Sequence, residues 1–246
     1  MNETEFPETF NKDHYPRPTI FLIIFVVLSL LDIIGTATNL IALQISAKPL
    51  LIPVLIIYLF YSFPQVAGKW MIYVALIFST LGDIFLLFEF MQPSFFIFGV
   101  AAFLLAHVFY ISYFFRIKSY FGSLFKKQPW WLLLIYSYCF GLLLLIFPGL
   151  GDMEIPVTIY AIVLSAMLFS SVHVYLKVQS PSNKYFVAGA ILFVLSDSML
   201  AINKFYHHFP MAGVLIMLTY CAAQYLLVEG VVSQKIALKP KEWWED

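Results

Sequence analysis

The stretch from Ala190 to Phe205, AILFVLSDSMLAINKF, decides how the chain is read. It has the apolar character of a lipid-spanning helix, yet Ser196 and Asp197 stand in the middle of it. An ionised carboxylate near the centre of a bilayer costs on the order of several kcal/mol. A chain that keeps one there has a use for it or surrounds it with polar neighbours. The rest of the sequence is therefore read for the company of Asp197.

Composition sets the frame. Of 246 residues, 62% are hydrophobic and 11% charged, against about a quarter charged in ordinary globular domains. With a mean hydropathy of +0.88, this is an integral membrane protein with little soluble mass. The formal net charge is zero, so nucleic acid is not an expected partner. Cys139 and Cys221 both fall inside apolar runs. They read as packing residues, and two cysteines alone make no structural zinc site. Ahead of the first apolar run, Glu3, Glu5, Glu8 and Asp13 face Lys12 and Arg17, which is the wrong balance for a cleavable signal peptide.

Eight apolar runs are long enough to count as spans: 20–42, 51–65, 69–88, 94–115, 130–147, 155–177, 185–203 and 211–230. The expected fold is all-α, a polytopic bundle of eight transmembrane helices. A polar N-terminal tail, 1–19, and a polar C-terminal tail, 231–246, flank a transmembrane domain over 20–230, with Trp243 and Trp244 as interfacial anchors. The second run is short and bounded by Pro53 and Pro64. Short connections favour antiparallel packing of neighbours. Eight spans put both termini on one side, with Lys12, Arg17, Lys69, Arg116, Lys118, Lys126, Lys127, Lys177, Lys184, Lys235, Lys239 and Lys241, and leave Lys48 and Lys204 on the other. Twelve cations against two predicts cytoplasmic termini, and the expected location is a bacterial inner membrane. Leu76–Leu86 (LIFSTLGDIFL) echoes Ala190–Leu200 (AILFVLSDSML) when aligned on Asp83 and Asp197. The echo, four spans apart, suggests a 4+4 parallel repeat.

The polar residues within the spans are the candidate site. Ser29, Asp32, Thr36 and Asn39 share one face of the first span, either as a hydrogen-bonded seam or as the wall of a polar cavity. Lys48-Pro49-Leu50 reads as the first hairpin, with Lys48 placed to meet an anionic headgroup. Gly82-Asp83 gives the third span a carboxylate beside a residue that admits close helix approach. His107 and Tyr110 share a face of the fourth span; His207 and His208 lie in a loop, and no metal-like spacing emerges. Asn203 and Lys204 follow Ser196-Asp197, and Tyr220 and Gln224 stand at i, i+4 in the eighth span. Each of these, taken singly, fits a seam as well as a site. No G-x-S-x-G, P-loop or H-E-x-x-H is present.

Lys48-Pro49-Leu50, Leu81-Gly82-Asp83, His107 with Tyr110, Gly189–Phe193 leading into Ser196–Ala201, and Tyr220 with Ala223–Leu226 resemble, in order, the motifs of the YhhN-like family, which contains the lysoplasmalogenases. The resemblance runs through all eight spans and leaves the tails outside. It implies an eight-helix membrane enzyme whose substrate is a lysophospholipid with a vinyl-ether chain, cleaved to a fatty aldehyde and a glycerophospho-ethanolamine or -choline. It carries over Asp83 and Asp197 as the catalytic residues. Lys48, Asn39, His107, Tyr110, Ser196, Asn203, Lys204, Tyr220 and Gln224 are the expected substrate-binding set.

The chemistry suits that implication. Vinyl-ether hydrolysis needs a proton at the β-carbon and stabilisation of an oxocarbenium ion, as glycoside hydrolysis does. Two carboxylates in a dry site would divide the work, one staying protonated as the acid. No metal or organic cofactor is required. The vinyl ether of a lysolipid lies about 5–10 Å below its phosphate, a helical turn or two, which matches the depth of both Asp below their helix ends, with Lys48 or Lys204 toward the phosphate. Membrane lipid is the expected surrounding partner, and the sequence carries no signal of oligomeric state. Two alternatives remain: a small-solute or proton-coupled transporter using the same Asp pair, and a hydrolase of another lysolipid.

Overall fold

The computed structural model describes residues 18–62, 64, 66–117, 125 and 128–234. Among them eight helices are long and apolar enough to cross a membrane: α1 Thr19–Ala37, α2 Ile41–Tyr61, α3 Lys69–Leu87, α4 Ser94–Arg116, α5 Trp130–Ile146, α6 Glu154–His173, α7 Ser182–Phe205 and α8 Ala212–Val232. The chain is an all-α integral membrane protein that crosses the bilayer many times. Of the expected tails, residues 1–17 and 235–246, with the anchors Trp243 and Trp244, lie outside the described residues, as do Lys118, Lys126 and Lys127, whereas α1 begins at Thr19 and α8 extends to Val232.

Helix neighbours define the architecture. α1 packs on α2, α2 on α3, α3 on α4, α4 on α6, α6 on α7, α7 on α8, and α8 returns to α1. Seven helices thus close a ring. α5 lies outside it against α6 and α7, and of its residues only Ile135 and Ile146 are buried. Lipid is as apolar as leucine, so burying apolar area does not by itself draw these helices together; close packing and interhelical hydrogen bonds do. Gly189 illustrates the first, since a Cβ there would lie 3.1 Å from the Ala223 carbonyl oxygen of α8. Phe114, Phe186, Phe193, Leu55 and Leu76 fill the ring interior.

An even number of crossings returns the chain to the end where it began. At that end Glu229 is buried and accepts from Tyr58 Oη at 2.7 Å and from Ser233 Oγ at 2.8 Å. Tyr113 donates to Gln234 beside it. These bonds tie α2, α4 and α8 together far from Asp83 and Asp197.

The α1–α2 connection differs from the sequence expectation. α1 ends at Ala37, and α2 already runs from Ile41, so Lys48-Pro49-Leu50 lies inside α2 rather than in a hairpin. Proline punctuates soluble helices but is tolerated within a bundle, where neighbouring groups take up the freed backbone positions. The turn itself is Thr38–Leu40, with Asn39 at φ 55°. Asparagine enters that left-handed region more readily than other residues with a Cβ. Asn39 is exposed there, so its polarity serves the turn and not the wall of a cavity. The bundle core also closes the short second run into a continuous helix of 21 residues.

Candidate active site

The site is built in the half of the bundle away from the start of α1 and the end of α8. Asp83 stands four residues before the end of α3, Asp32 five before the end of α1 and Lys48 seven after the start of α2. At 1.5 Å per residue all three lie about 6–11 Å below that end of the bundle. Asp197 is eight residues before the end of α7, about 12 Å down.

Asp83 is buried, and its Oδ2 accepts a hydrogen bond from Tyr220 Oη at 2.7 Å. Gln224 Nε2 donates to the same tyrosine oxygen at 3.3 Å, and Tyr110 Oη donates to Gln224 Oε1 at 2.9 Å. The chain Tyr110–Gln224–Tyr220–Asp83 is therefore continuous and spans α4, α8 and α3. The i, i+4 spacing of Tyr220 and Gln224 is what aligns its middle members on one helix face. One carboxylate oxygen is held, and among the described residues no cation is paired with it directly.

Asp197 has a parallel arrangement on other helices. Its Oδ2 accepts from Tyr160 Oη at 2.5 Å, and His107 Nε2 stands 3.8 Å away. His107 Nδ1 contacts the Phe103 carbonyl oxygen, which can only accept. The ring proton is thereby assigned to Nδ1, and Nε2 turns its lone pair toward Asp197 with no hydrogen-bond partner. Unlike Asp83, Asp197 is partly open. It lines an apolar pocket with Leu86, Val100, Phe103, Val157 and Leu200.

Phe103 connects the two halves. Its ring meets those of Tyr220 and Phe193 edge to face, with centroids 5.8 and 6.3 Å apart. Phe193 in turn packs on His107 at 4.7 Å. The ring of Phe103 rests on Gly82, where a Cβ would lie only 2.6 Å away. Glycine beside Asp83 is thus required for α4 to bring Phe103 in. Asp83 is among the charges that act on Asp197, although it is not among the residues that line the apolar pocket.

Asp32 adds a third carboxylate. It is 0% exposed, and among the described residues neither of its oxygens has a hydrogen-bond partner. Lys48 is the cation whose charge acts on both Asp32 and Asp83. Ser79, one turn from Asp83 on the same face of α3, is also buried with an unpartnered hydroxyl.

The other sequence candidates fall away from this centre. Ser196 Oγ donates to the Ile216 carbonyl at 3.0 Å, an α7–α8 seam. Asn203 Oδ1 accepts the Phe209 N–H at 3.3 Å and so caps the turn after α7. Lys204 is ion-paired with Glu89 and lies over the Phe96 ring, joining the ends of α3 and α7. Tyr160, by contrast, was not singled out by the sequence. A tyrosine inside an apolar run reads as packing, and only its depth, matching that of Asp197, would have marked it. Among the described residues no cluster of three or more His, Cys, Asp or Glu has the arrangement of a metal site.

Comparison with known proteins identifies the family. The profile of the YhhN family matches residues 43–231. The chain is 32% identical over 227 residues to a mouse protein, lysoplasmalogenase TMEM86B, covering 90% of both chains. It is 36% identical to the pig lysoplasmalogenase TMEM86B over 68% of this chain and 65% of that one. It is 30% identical to a lysoplasmalogenase of Mycobacterium tuberculosis over 66% and 60%. No solved structure matches it. With its profile match running from α2 to α8, and both motif aspartates inside the matched region, the chain belongs to the YhhN family.

Proposed function

We propose that this membrane enzyme hydrolyses the vinyl-ether bond of a lysoplasmalogen, with Asp197 as general acid and Asp83 as its carboxylate partner. The observation that carries the reading is the pair of intramembrane aspartates, each held by a tyrosine hydroxyl from a different helix of one closed ring. The names of its relatives point to the same substrate class.

The roles follow from surroundings. A proton from Asp197 goes to the β-carbon of the vinyl ether, leaving an oxocarbenium ion at the carbon bonded to oxygen. Water adds there, and the hemiacetal collapses to a fatty aldehyde and the glycerol hydroxyl. One water is consumed, and the catalytic proton is returned. The β-carbon belongs to the hydrocarbon chain, so the acid belongs beside an apolar pocket, where Asp197 lies. Tyr160 holds Oδ2 and leaves Oδ1 to carry the proton. His107 Nε2, whose lone pair faces the same carboxyl, is placed to take the proton released as water adds and return it to Asp197. Asp83, on the side of Lys48, suits the cation and the attacking water. Lys48, half-buried at this depth, suits the phosphate, as a cation drawn toward an anion.

A lysolipid panel tests this directly. Purified protein is incubated with 1-alkenyl, 1-alkyl and 1-acyl lysolipids of ethanolamine and choline, and products are followed by mass spectrometry. Fatty aldehyde is expected from the 1-alkenyl lipids alone. Release from the 1-acyl lipids instead would reassign the protein as another lysolipid hydrolase. Absence of all turnover, together with pH-gradient-dependent solute flux in vesicles, would make it a transporter.

A further inference from the structure

A plasmalogen and a lysoplasmalogen carry the same vinyl ether. They differ on the neighbouring glycerol carbon, which bears an acyl ester in one and a free hydroxyl in the other. An enzyme that acts on the second needs a group that recognises that hydroxyl, and the two aspartates and their tyrosines are already engaged.

Asp32 has the properties required. It lies at the depth of Asp83, at most about a helical turn from it along the bundle axis. It is 0% exposed, and both its oxygens lack a hydrogen-bond partner. A buried carboxylate left in that state is costly, and native structures fill such vacancies with a partner or a ligand. Neighbouring polar groups on α1 and α2 are bonded elsewhere. Ser29, one turn earlier on α1, donates to the Phe25 carbonyl. Gln44, from α2, donates to the Gly35 carbonyl at 3.1 Å. Lys48 acts on Asp32 through its charge but forms no ion pair with it. Asp32, Lys48 and Asp83 thus come from three successive helices, α1, α2 and α3, within the same half of the bundle.

We propose that Asp32 accepts a hydrogen bond from the free glycerol hydroxyl of the substrate and so selects lyso lipids over their acylated counterparts. The inference rests on the proposed vinyl-ether hydrolase activity and assigns its specificity. With phosphate at Lys48 and the vinyl ether between Asp83 and Asp197, the hydroxyl on the adjacent glycerol carbon falls on the Asp32 side. An acylated lipid brings no donor and adds an ester at this point. It would leave the buried carboxylate unpaired, which is the strongest way for a site to reject an analogue.

The test compares two lipids on the purified full chain: a 1-alkenyl lysophosphocholine and its analogue in which hydrogen replaces the glycerol hydroxyl. Wild type is expected to prefer the hydroxyl-bearing lipid by about 10²-fold or more in kcat/KM. Asp32→Ala is expected to lose about 10–100-fold on that lipid while changing little on the analogue. Asp32→Asn, which keeps an acceptor and the side-chain shape, should show a smaller loss on the same lipid alone and serves if the alanine variant fails to fold. Wild type that turns over both lipids equally well overturns the inference and leaves the hydrolase reading intact. So does an Asp32 variant, shown folded by its thermal transition, that loses the same factor on both lipids. No aldehyde from either lipid with wild type removes the activity itself, and the inference with it.

Discussion

Replacing Asp197 by Asn is expected to lower aldehyde release from a lysoplasmalogen by about 10²–10⁴-fold, the range attributed to a positioned general acid. Asn has the same shape and still accepts the Tyr160 hydroxyl, so the α6–α7 contact survives. What it lacks is a proton to give to the β-carbon. Asp83→Asn should fall in the same range for a different reason. It retains the bond from Tyr220 but loses the negative charge that faces the oxocarbenium ion. The double variant is expected to be little worse than either single one, because groups that act as a unit are not additive. Turnover in detergent, with a thermal transition measured on each variant, checks all three. Near-wild-type release from both single variants would remove the proposed mechanism.

The second large effect comes from a residue with no side chain. Gly82→Leu is expected to abolish activity and to destabilise the protein by about 1–3 kcal/mol, the range for overpacking a filled interior. Even the first added carbon would lie 2.6 Å from the Phe103 ring, so α3 and α4 must separate or the ring must move. Phe103 packs on Tyr220, the donor to Asp83, and on Phe193, which backs His107. Its own carbonyl holds His107 Nδ1. A shift of this one ring is therefore transmitted to both carboxylates. A thermal-shift assay combined with turnover separates the two consequences. Full activity in Gly82→Leu would show that Phe103 does not position the site.

The aspartates were legible in the sequence because charge is rare in apolar spans, and Tyr220 with Gln224 because i, i+4 spacing puts them on one face. His107 and Tyr110 were legible for the same reason, and the structure draws all of these around the two acids. Lys48 was recognised as a residue but misplaced. Lys-Pro reads as a loop, whereas a bundle tolerates proline within α2. That shift moves Lys48 from the rim to the level of Asp32 and Asp83. Asp32 was visible on its helix face, but its lack of a partner is a property of the packed structure alone. Ser196, Asn203 and Lys204 carried the same polar signal as the site residues and turn out to serve a seam, a cap and an ion pair.

The ring itself could not be read in advance. Lipid-facing and bundle-facing surfaces are both apolar, so the hydrophobic period that orients helices in soluble proteins is weak here. The echo between Asp83 and Asp197 has a structural counterpart in part. α3–α4 and α7–α8 are both closely packed hairpins, whereas α1 closes the ring and α5, its counterpart in a 4+4 repeat, lies outside.

The central claim is that a carboxylic acid in the bundle protonates the vinyl ether at its β-carbon. Hydrolysis in D2O, with the aldehyde reduced to its alcohol as it forms, measures this most directly. The account predicts one deuterium on the carbon next to the former carbonyl, in product formed by wild type and at no more than background rate by Asp197→Asn. Aldehyde formed at the wild-type rate without that deuterium, or with it but undiminished in Asp197→Asn, would contradict it.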